Sequence, residues 1–274
     1  GFHRSRSART QLQLLVDLLS IRQAATETKS EAANELVAQI GRMLDSLAAV
    51  TLSTGEPAYF NGTGQLPHDI LVAIQAHGSA RKLRSRQIAG YGILRDGAAV
   101  VIADSGLRPP PGLDGDMHAS AMAFEFSHGN QLIVGNCGPA PAALGENRDL
   151  FRQGVAHSAP TIDGEDAGLP REPAMTLDTA DQVLTIGSTG YSKRFGVEIE
   201  RRLTLLSGGT TLVGQDRVTG KGNASGRLSI RFHLAPGIVV RTHTLALPTR
   251  DELAHQHLFE QLQLEKLFGR AMYA

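Results

Sequence analysis

Residues 118–134, HASAMAFEFSHGNQLIV, indicate the fold class because they contain two short β-type runs joined by a turn. Phe124 and Phe126 flank a polar residue before the turn, and an apolar run, 132–134, follows it. Such alternation is typical of strands that bury one face. The tetrapeptide SHGN between the runs is typical of a hairpin turn. We therefore predict a β-hairpin in this stretch.

A hydrophobic period of two extends on both sides of this hairpin. Upstream, Asp96-Gly97 lies between two apolar runs, which indicates a second hairpin. We predict strands at 119–126, 131–135, 155–162, 183–187, 196–206, 210–218 and 226–234. The Gly208-Gly209 pair is expected to form the turn between two of them. Strands and turns at such regular spacing predict a sandwich of two antiparallel sheets.

The chain before residue 80 has a helical hydrophobic period instead. Leu12, Leu15 and Leu19 follow the spacing of one helix face, so we predict a first helix there. Ser30 is a suitable N-cap for a second helix. Pro67 is suited to the start of a shorter third helix.

These patterns together predict an α+β fold, in which an antiparallel β-sandwich is preceded by a few helices. We assign residues 1–80 to a helical segment and residues 88–240 to the sandwich. Residues 241–274 form an atypical tail, whose apolar residues recur at roughly helical spacing. We therefore predict a helical tail.

The composition is that of a globular protein, with 41% hydrophobic and 20% charged residues. The 27 basic and 27 acidic residues cancel, which argues against a general nucleic-acid binder. No apolar run is long enough for membrane insertion, and we predict no signal peptide in this sequence. The single cysteine, Cys137, excludes an internal disulfide and is predicted to be buried.

Several segments along the chain form a recognisable series: GFHRSRS at 1–7, AYFNGTG at 58–64, the strand that begins near His118, RQGVAHS at 152–158 and RFHLAP at 231–236. In this order they resemble segments of the heparinase II/III-like polysaccharide lyases. The resemblance covers roughly residues 1 to 240. It implies that the helices are the last hairpins of an incomplete α/α toroid and that the strands form the family's β-sandwich domain.

The resemblance implies a lyase that cleaves an acidic, uronate-containing glycan, such as a glycosaminoglycan, by β-elimination. This chemistry needs a base, an acid and a neutralised carboxylate. The implied partner is an acidic polysaccharide or oligosaccharide. The same scaffold is also suited to a non-catalytic carbohydrate or envelope-glycan binding module, so whether the chain is an enzyme stays open. Periplasmic and cytoplasmic locations in a bacterium both stay open.

By resemblance, the catalytic candidates are His118, His157 and Arg152. His118 matches the histidine that leads the family's strand, although Asp116 stands where many relatives carry a further histidine. An alternative role for His118 is to cap the strand through a backbone hydrogen bond. The guanidinium of Arg152 is suited to bind a uronate carboxylate or a sulfate.

Three further residues are candidates for substrate binding: Arg148, His3 and Asn61. Arg152 has an alternative structural role as well, a salt bridge to Glu125 or Asp149. Tyr59, Tyr91 and Tyr191 are the tyrosines considered as a base, and we expect Tyr191 to be the more accessible because it lies in a Gly-Tyr-Ser loop.

The resemblance also implies a zinc site at His118, Asn136 and His157. Asn136 stands where zinc-binding relatives carry an aspartate. A neutral amide oxygen is a poorer zinc ligand than a carboxylate, so we predict that little or no zinc is retained. The alternative, which we favour, is a polar cluster beneath a loop in which these three side chains are hydrogen-bonded to each other. We predict no other cofactor.

Overall fold

A computed structural model of the protein describes residues 1–29, 31–78, 83–141, 148–168, 173–220 and 226–241. Its helices are α1 (Ala8–Glu27), α2 (Ala32–Ala49), α3 (His68–Gln75) and the short α4 (Ser192–Phe195). Within these ranges, no helix has both the length and the apolar character that a membrane crossing requires. The predicted N-cap Ser30 and the predicted tail beyond residue 241 lie outside the described residues.

The strands of the described residues are β1 (Arg86–Ile88), β2 (Tyr91–Asp96), β3 (Ala99–Asp104), β4 (Phe124–His128), β5 (Gln131–Gly135), β6 (Pro160–Ile162), β7 (Ala174–Asp178), β8 (Val183–Ser188), β9 (Val197–Leu206), β10 (Thr211–Gly220), β11 (Leu228–Ile230) and β12 (His233–Leu234). They form three antiparallel sheets. Sheet 1 has the order β1-β2-β3-β4-β5-β12, sheet 2 the order β10-β9-β8-β7, and β11 pairs with β6. The predicted α+β class is confirmed.

Sheet 1 is buried on both faces, because alternate residues of its strands belong to two separate cores. Ile93 and Ile102 pack with Leu15 of α1 and Leu47 of α2. Their neighbours along the strands, such as Leu94 and Val101, pack instead with residues of sheet 2, among them Leu184 and Leu203. The molecule therefore has three layers, with the helices on one face of sheet 1 and sheet 2 on the other.

Two predicted strands begin later than expected. The strand predicted at 119–126 begins at Phe124, since the residues before it form a turn in which Met122 has a φ of 65°. In this turn the Met122 N–H donates to the carbonyl of Asp104, and the Ala123 N–H donates to that of Ser120. The strand predicted at 155–162 contains only β6, because residues 154–156 form a 3-10 turn. β7 was not predicted.

Candidate functional site

Two of the predicted site residues, His118 and His157, lie in contact. His118 is 5% exposed and His157 is fully buried. The Nδ1 atom of His118 lies 3.2 Å from Nε2 of His157, and the rings meet edge to face with centroids 5.2 Å apart. The two histidines come from segments 39 residues apart, so the fold brings them together.

The hydrogen bonds of this pair determine which ring nitrogen carries each proton. Nδ1 of His157 lies 2.8 Å from the carbonyl of Gln153, and only an N–H can donate to that oxygen. In the neutral ring, Nε2 of His157 is then an acceptor, so Nδ1 of His118 must donate to it. Nε2 of His118 consequently keeps a lone pair with which it can accept a hydrogen bond or a proton.

Both histidines are held in the neutral form. Burial, the neighbouring His157 and the nearby Arg152 together lower the pKa of His118 to about 3. Burial also lowers the pKa of His157, although its hydrogen bond to Gln153 and the charge of Asp104 act in the opposite direction. The lone pair of His118 is therefore available at neutral pH without deprotonation of the ring.

We expect this pair to make the fold sensitive to acid. The unfolded chain binds a proton near the ordinary histidine pKa of 6.5, whereas folded His118 binds one only near 3. Unfolding therefore takes up protons between these values, and stability should fall as the pH drops from about 6.5 towards 3. Thermal unfolding followed across this range should show a shallower pH dependence in His118→Asn, whose amide can still donate to His157. His68→Asn, at a largely exposed histidine, should retain the full slope; equal slopes in all three proteins would contradict the prediction.

A chain of buried hydrogen bonds holds the backbone at His118. Its N–H donates to Oδ1 of Asn61 at 3.3 Å. Nδ2 of Asn61 donates to the hydroxyl of Tyr91 at 2.7 Å, and this hydroxyl donates to the carbonyl of Arg6 at 2.6 Å. Asn61 is fully buried, so both ends of its amide are engaged inside the protein.

Arg152 lies exposed beside the histidine pair. Its Nε and Nη2 atoms both donate to the carbonyl of Met117, at 3.2 and 2.9 Å. The suggested salt bridge to Glu125 or Asp149 is wrong for Glu125, whose buried carboxylate accepts the backbone N–H groups of Asn136 and Tyr59. Burial raises the pKa of Glu125 to about 7. Within the described residues no ion pair of Arg152 with Asp149 is found either.

Asn136 is engaged with backbone groups on both sides of its amide. Its Oδ1 accepts the N–H of Ser158 at 3.1 Å, and its Nδ2 donates to the carbonyl of Tyr59 at 3.4 Å. Its oxygen is uncharged and already accepts one hydrogen bond, so it is a weak zinc ligand. The amide bonds to neither histidine, so the expected cluster of three mutually hydrogen-bonded side chains is wrong for Asn136. In the part of the chain that the structure describes, no three His, Cys, Asp or Glu side chains are placed to hold a metal. That little or no zinc is retained stays a prediction.

Among the described residues, the substrate-binding candidates His3 and Arg148 make no hydrogen bond to this pair. The Nδ1 atom of His3 contacts Oγ of Ser5 at 2.8 Å, and Arg148 is exposed. Two expectations were wrong: Tyr191 is 1% exposed, because its hydroxyl donates to the carbonyl of Pro160 inside the sandwich, and Cys137 is exposed.

Sequence reasoning missed Arg201, which is the largest fully buried side chain and contacts the segments that carry both histidines. A signal for it was present in β9. Arg201 has the same alternating phase as the inward residues Ile199 and Leu203, so the strand pattern places a charge inside the sandwich.

A family model described as "Heparinase II/III-like, C-terminal" matches residues 79–266. Among curated proteins, the FtsZ-localized protein C of Caulobacter vibrioides (strain NA1000 / CB15N) is 29% identical over 172 residues. This match spans 62% of the present chain but only 30% of that protein.

The structure is also similar to solved lyases at low sequence identity. The heparan sulfate lyase HepC from Pedobacter heparinus superposes with a TM-score of 0.66 at 16% identity, over 84% of this chain and 40% of that one. A heparinase III with methylated lysines superposes with a TM-score of 0.69 at 14% identity, over 86% of this chain and 40% of that one. Another heparinase III superposes with a TM-score of 0.67 at 15% identity, over 86% of this chain and 42% of that one. These likenesses concern the fold, and the chain spans less than half the length of each lyase.

Proposed function

Because this chain belongs to the heparinase II/III-like C-terminal family, we propose that it forms the β-sandwich side of a binding site for an acidic, uronate-containing glycan. The observation that carries the proposal is the neutral His118–His157 pair with the exposed guanidinium of Arg152 beside it. The lone pair on Nε2 of His118 can accept a hydrogen bond from a sugar hydroxyl, while the guanidinium of Arg152 binds the carboxylate of the same sugar.

The orientation of Arg152 supports its role as the carboxylate ligand. Its Nε and Nη2 atoms share one carbonyl, that of Met117, so one edge of the planar guanidinium is fixed. The opposite edge, formed by Nη1 and the second hydrogen of Nη2, is the one that can form a bidentate pair with a carboxylate or sulfate. Arg152 is exposed, so this edge can reach a ligand.

We infer that this chain alone binds the glycan without cleaving it. Elimination needs a base, an acid and a carboxylate neutraliser held around one sugar, and positioning accounts for much of the rate. A pKa of about 3 keeps His118 from serving as the acid at neutral pH and makes it a weak base. The exposed Asp116 stands where many relatives carry a further histidine, and a carboxylate cannot supply the neutralisation of the uronate that elimination needs.

The second candidate is a non-catalytic module that binds an envelope glycan. It is favoured by the curated relative, whose name refers to localization with FtsZ and not to a lyase. A module of this kind would use the same histidine pair and arginine. It would bind without cleavage even when further domains are present.

We expect the purified chain to bind alginate and heparan sulfate weakly, and more weakly as salt rises, while a neutral glucan does not bind. Arg152→Ala should weaken binding about tenfold, the effect of one lost charge-assisted contact. Arg217→Ala is the matched control, because Arg217 is also exposed but lies on β10 of sheet 2. Calorimetric titration measures the affinities, and absorbance of the unsaturated uronate product follows cleavage.

Equal binding of the acidic and neutral glycans, or equal losses in the Arg152 and Arg217 variants, would contradict the binding site. Release of unsaturated product that His118→Ala abolishes would restore an active enzyme in this chain and exclude the non-catalytic module.

A further inference from the structure

Arg201 and Asp216 form a buried ion pair between neighbouring strands of sheet 2. The two residues are direct cross-strand partners in β9 and β10. Nε and Nη2 of Arg201 donate to the two carboxylate oxygens of Asp216, at 2.7 and 2.8 Å. Their side chains are 1% and 5% exposed. This bidentate pairing fixes the plane of the guanidinium and leaves Nη1 to point away from Asp216.

The remaining nitrogen of Arg201 binds two backbone carbonyls at once. Nη1 donates to the carbonyl of Met122 at 2.8 Å and to that of Ser158 at 2.9 Å. Met122 lies four residues after His118, and Ser158 directly follows His157. One nitrogen atom therefore joins the two segments from which the histidine pair is built.

The segment after His118 has a conformation that needs such support. Met122 has a φ of 65°, a left-handed conformation that is unfavourable for a residue with a Cβ. Its N–H donates to the carbonyl of Asp104 and its carbonyl accepts from Arg201, so both backbone polar groups of Met122 are engaged. The left-handed residue turns the chain from His118 into β4.

The segment after His157 is held in a similar way. Besides the carbonyl contact with Arg201, the N–H of Ser158 donates to Asn136. Its hydroxyl donates to the carbonyl of Gly135 and accepts the N–H of His233, each at 3.0 Å. Ser158 is thus tied to sheet 1 by several hydrogen bonds, but Arg201 joins it to the Met122 segment.

We propose that Arg201, oriented by Asp216, is a positioning residue for the His118–His157 pair. It binds the carbonyls of Met122 and Ser158 and so determines the distance between the two histidine rings. The role rests on the proposed glycan site, because the distance between the rings matters for function only if His118 contacts a ligand. Stability alone is a weaker explanation, since a buried ion pair is often replaceable by apolar residues without loss of stability.

The test compares Arg201→Lys and the double variant Arg201→Met/Asp216→Leu with the wild-type chain. The double variant removes both charges together, so it avoids an unpaired buried ion and should fold. Imidazole ¹H–¹⁵N spectra report the Nδ1–H proton that His118 donates to His157. We expect both variants to shift or lose this signal and to bind alginate about tenfold more weakly.

Arg95→Lys is the matched control. Arg95 also donates to backbone carbonyls, those of Ala48, Ala49 and Thr51, but these lie at the end of α2 and after it. The Arg95→Lys substitution should leave the imidazole signals and the alginate affinity unchanged.

Each outcome separates the two proposals. Folded Arg201 variants with unchanged imidazole signals would overturn the positioning role, whether or not the glycan binds. If both variants fail to fold, Arg201 is needed for the folding of the sandwich, and the positioning role is overturned as well. Altered signals in a chain whose wild type binds no alginate would support the positioning role and reject the glycan site.

Discussion

Asp104→Ala is expected to destabilise the fold by about 3–5 kcal/mol, because it leaves the buried guanidinium of Arg6 without its counter-ion. The side chains of Arg6 and Asp104 are 2% and 1% exposed, and Nη2 of Arg6 donates to Oδ1 of Asp104. The other guanidinium nitrogens donate to the carbonyls of Ala89 and Leu107, so the arginine cannot turn to water without breaking these bonds.

The same substitution would loosen the candidate site. Asp104 accepts the N–H of Gly106 through Oδ1 and the hydroxyl of Ser120 through Oδ2, at 2.8 and 2.7 Å. Ser120 lies two residues after His118. Asp104 therefore joins the segment before α1 to the turn that carries His118, and its loss should also lower the affinity for an acidic glycan.

Urea denaturation measures the stability change, and Asp114→Ala is its matched control. Asp114 also pairs with an arginine, Arg108, at 2.9 Å, but this pair is on the surface. Surface ion pairs contribute little to the free energy of unfolding, so Asp114→Ala should unfold near the urea midpoint of the wild-type chain. Similar midpoints for the Asp104 and Asp114 variants would show that the buried pair is not needed for stability.

Gly209→Ala is expected to lower stability by about 3 kcal/mol or more, the sum of a left-handed residue and an overpacked contact. Gly209 has a φ of 83°, which disfavours any residue with a Cβ. A Cβ at this position would lie 2.1 Å from the carbonyl oxygen of Asp96 and 2.6 Å from Cβ of Ala99. Both neighbours belong to the β2–β3 hairpin, so the turn between β9 and β10 packs directly against it.

Gly208→Ala is the control that separates the two effects. Gly208 has a similar φ of 67°, but a Cβ there would meet nothing within 4 Å. Its substitution should therefore cost only about 1–2 kcal/mol, the cost of the left-handed conformation. Chemical denaturation of both variants measures the difference. If both lost the same stability, the contact between the two hairpins would have no energetic weight.

Local patterns in the sequence predicted most elements of secondary structure. The spacing of Leu12, Leu15 and Leu19 placed α1, and Asp96-Gly97 placed the hairpin of β2 and β3. The strand before the SHGN turn was predicted five residues too early. Its first residues, ASAMA at 119–123, include no glycine, proline, asparagine or aspartate that would indicate a turn, and the turn is held by hydrogen bonds to Asp104 and Ser120.

The candidate site was predicted only in part. Resemblance named His118 and His157, and the structure places these two in contact. The resemblance did not indicate that Arg152 is held by the carbonyl of Met117, nor that the amide of Asn61 supports the backbone of His118. These bonds join residues far apart in the chain, for which no local pattern exists.

The sequence by itself determined the class of the fold and the order of most helices and strands, because periodicity and turn residues act over a few neighbours. Only the tertiary structure decided that Arg6 pairs with Asp104 and that Arg201 joins the two histidine segments. Buried charges must find partners wherever the packed layers bring them, since desolvation makes an unpaired charge too costly. Such pairing depends on the packing of the layers, which sequence spacing does not contain.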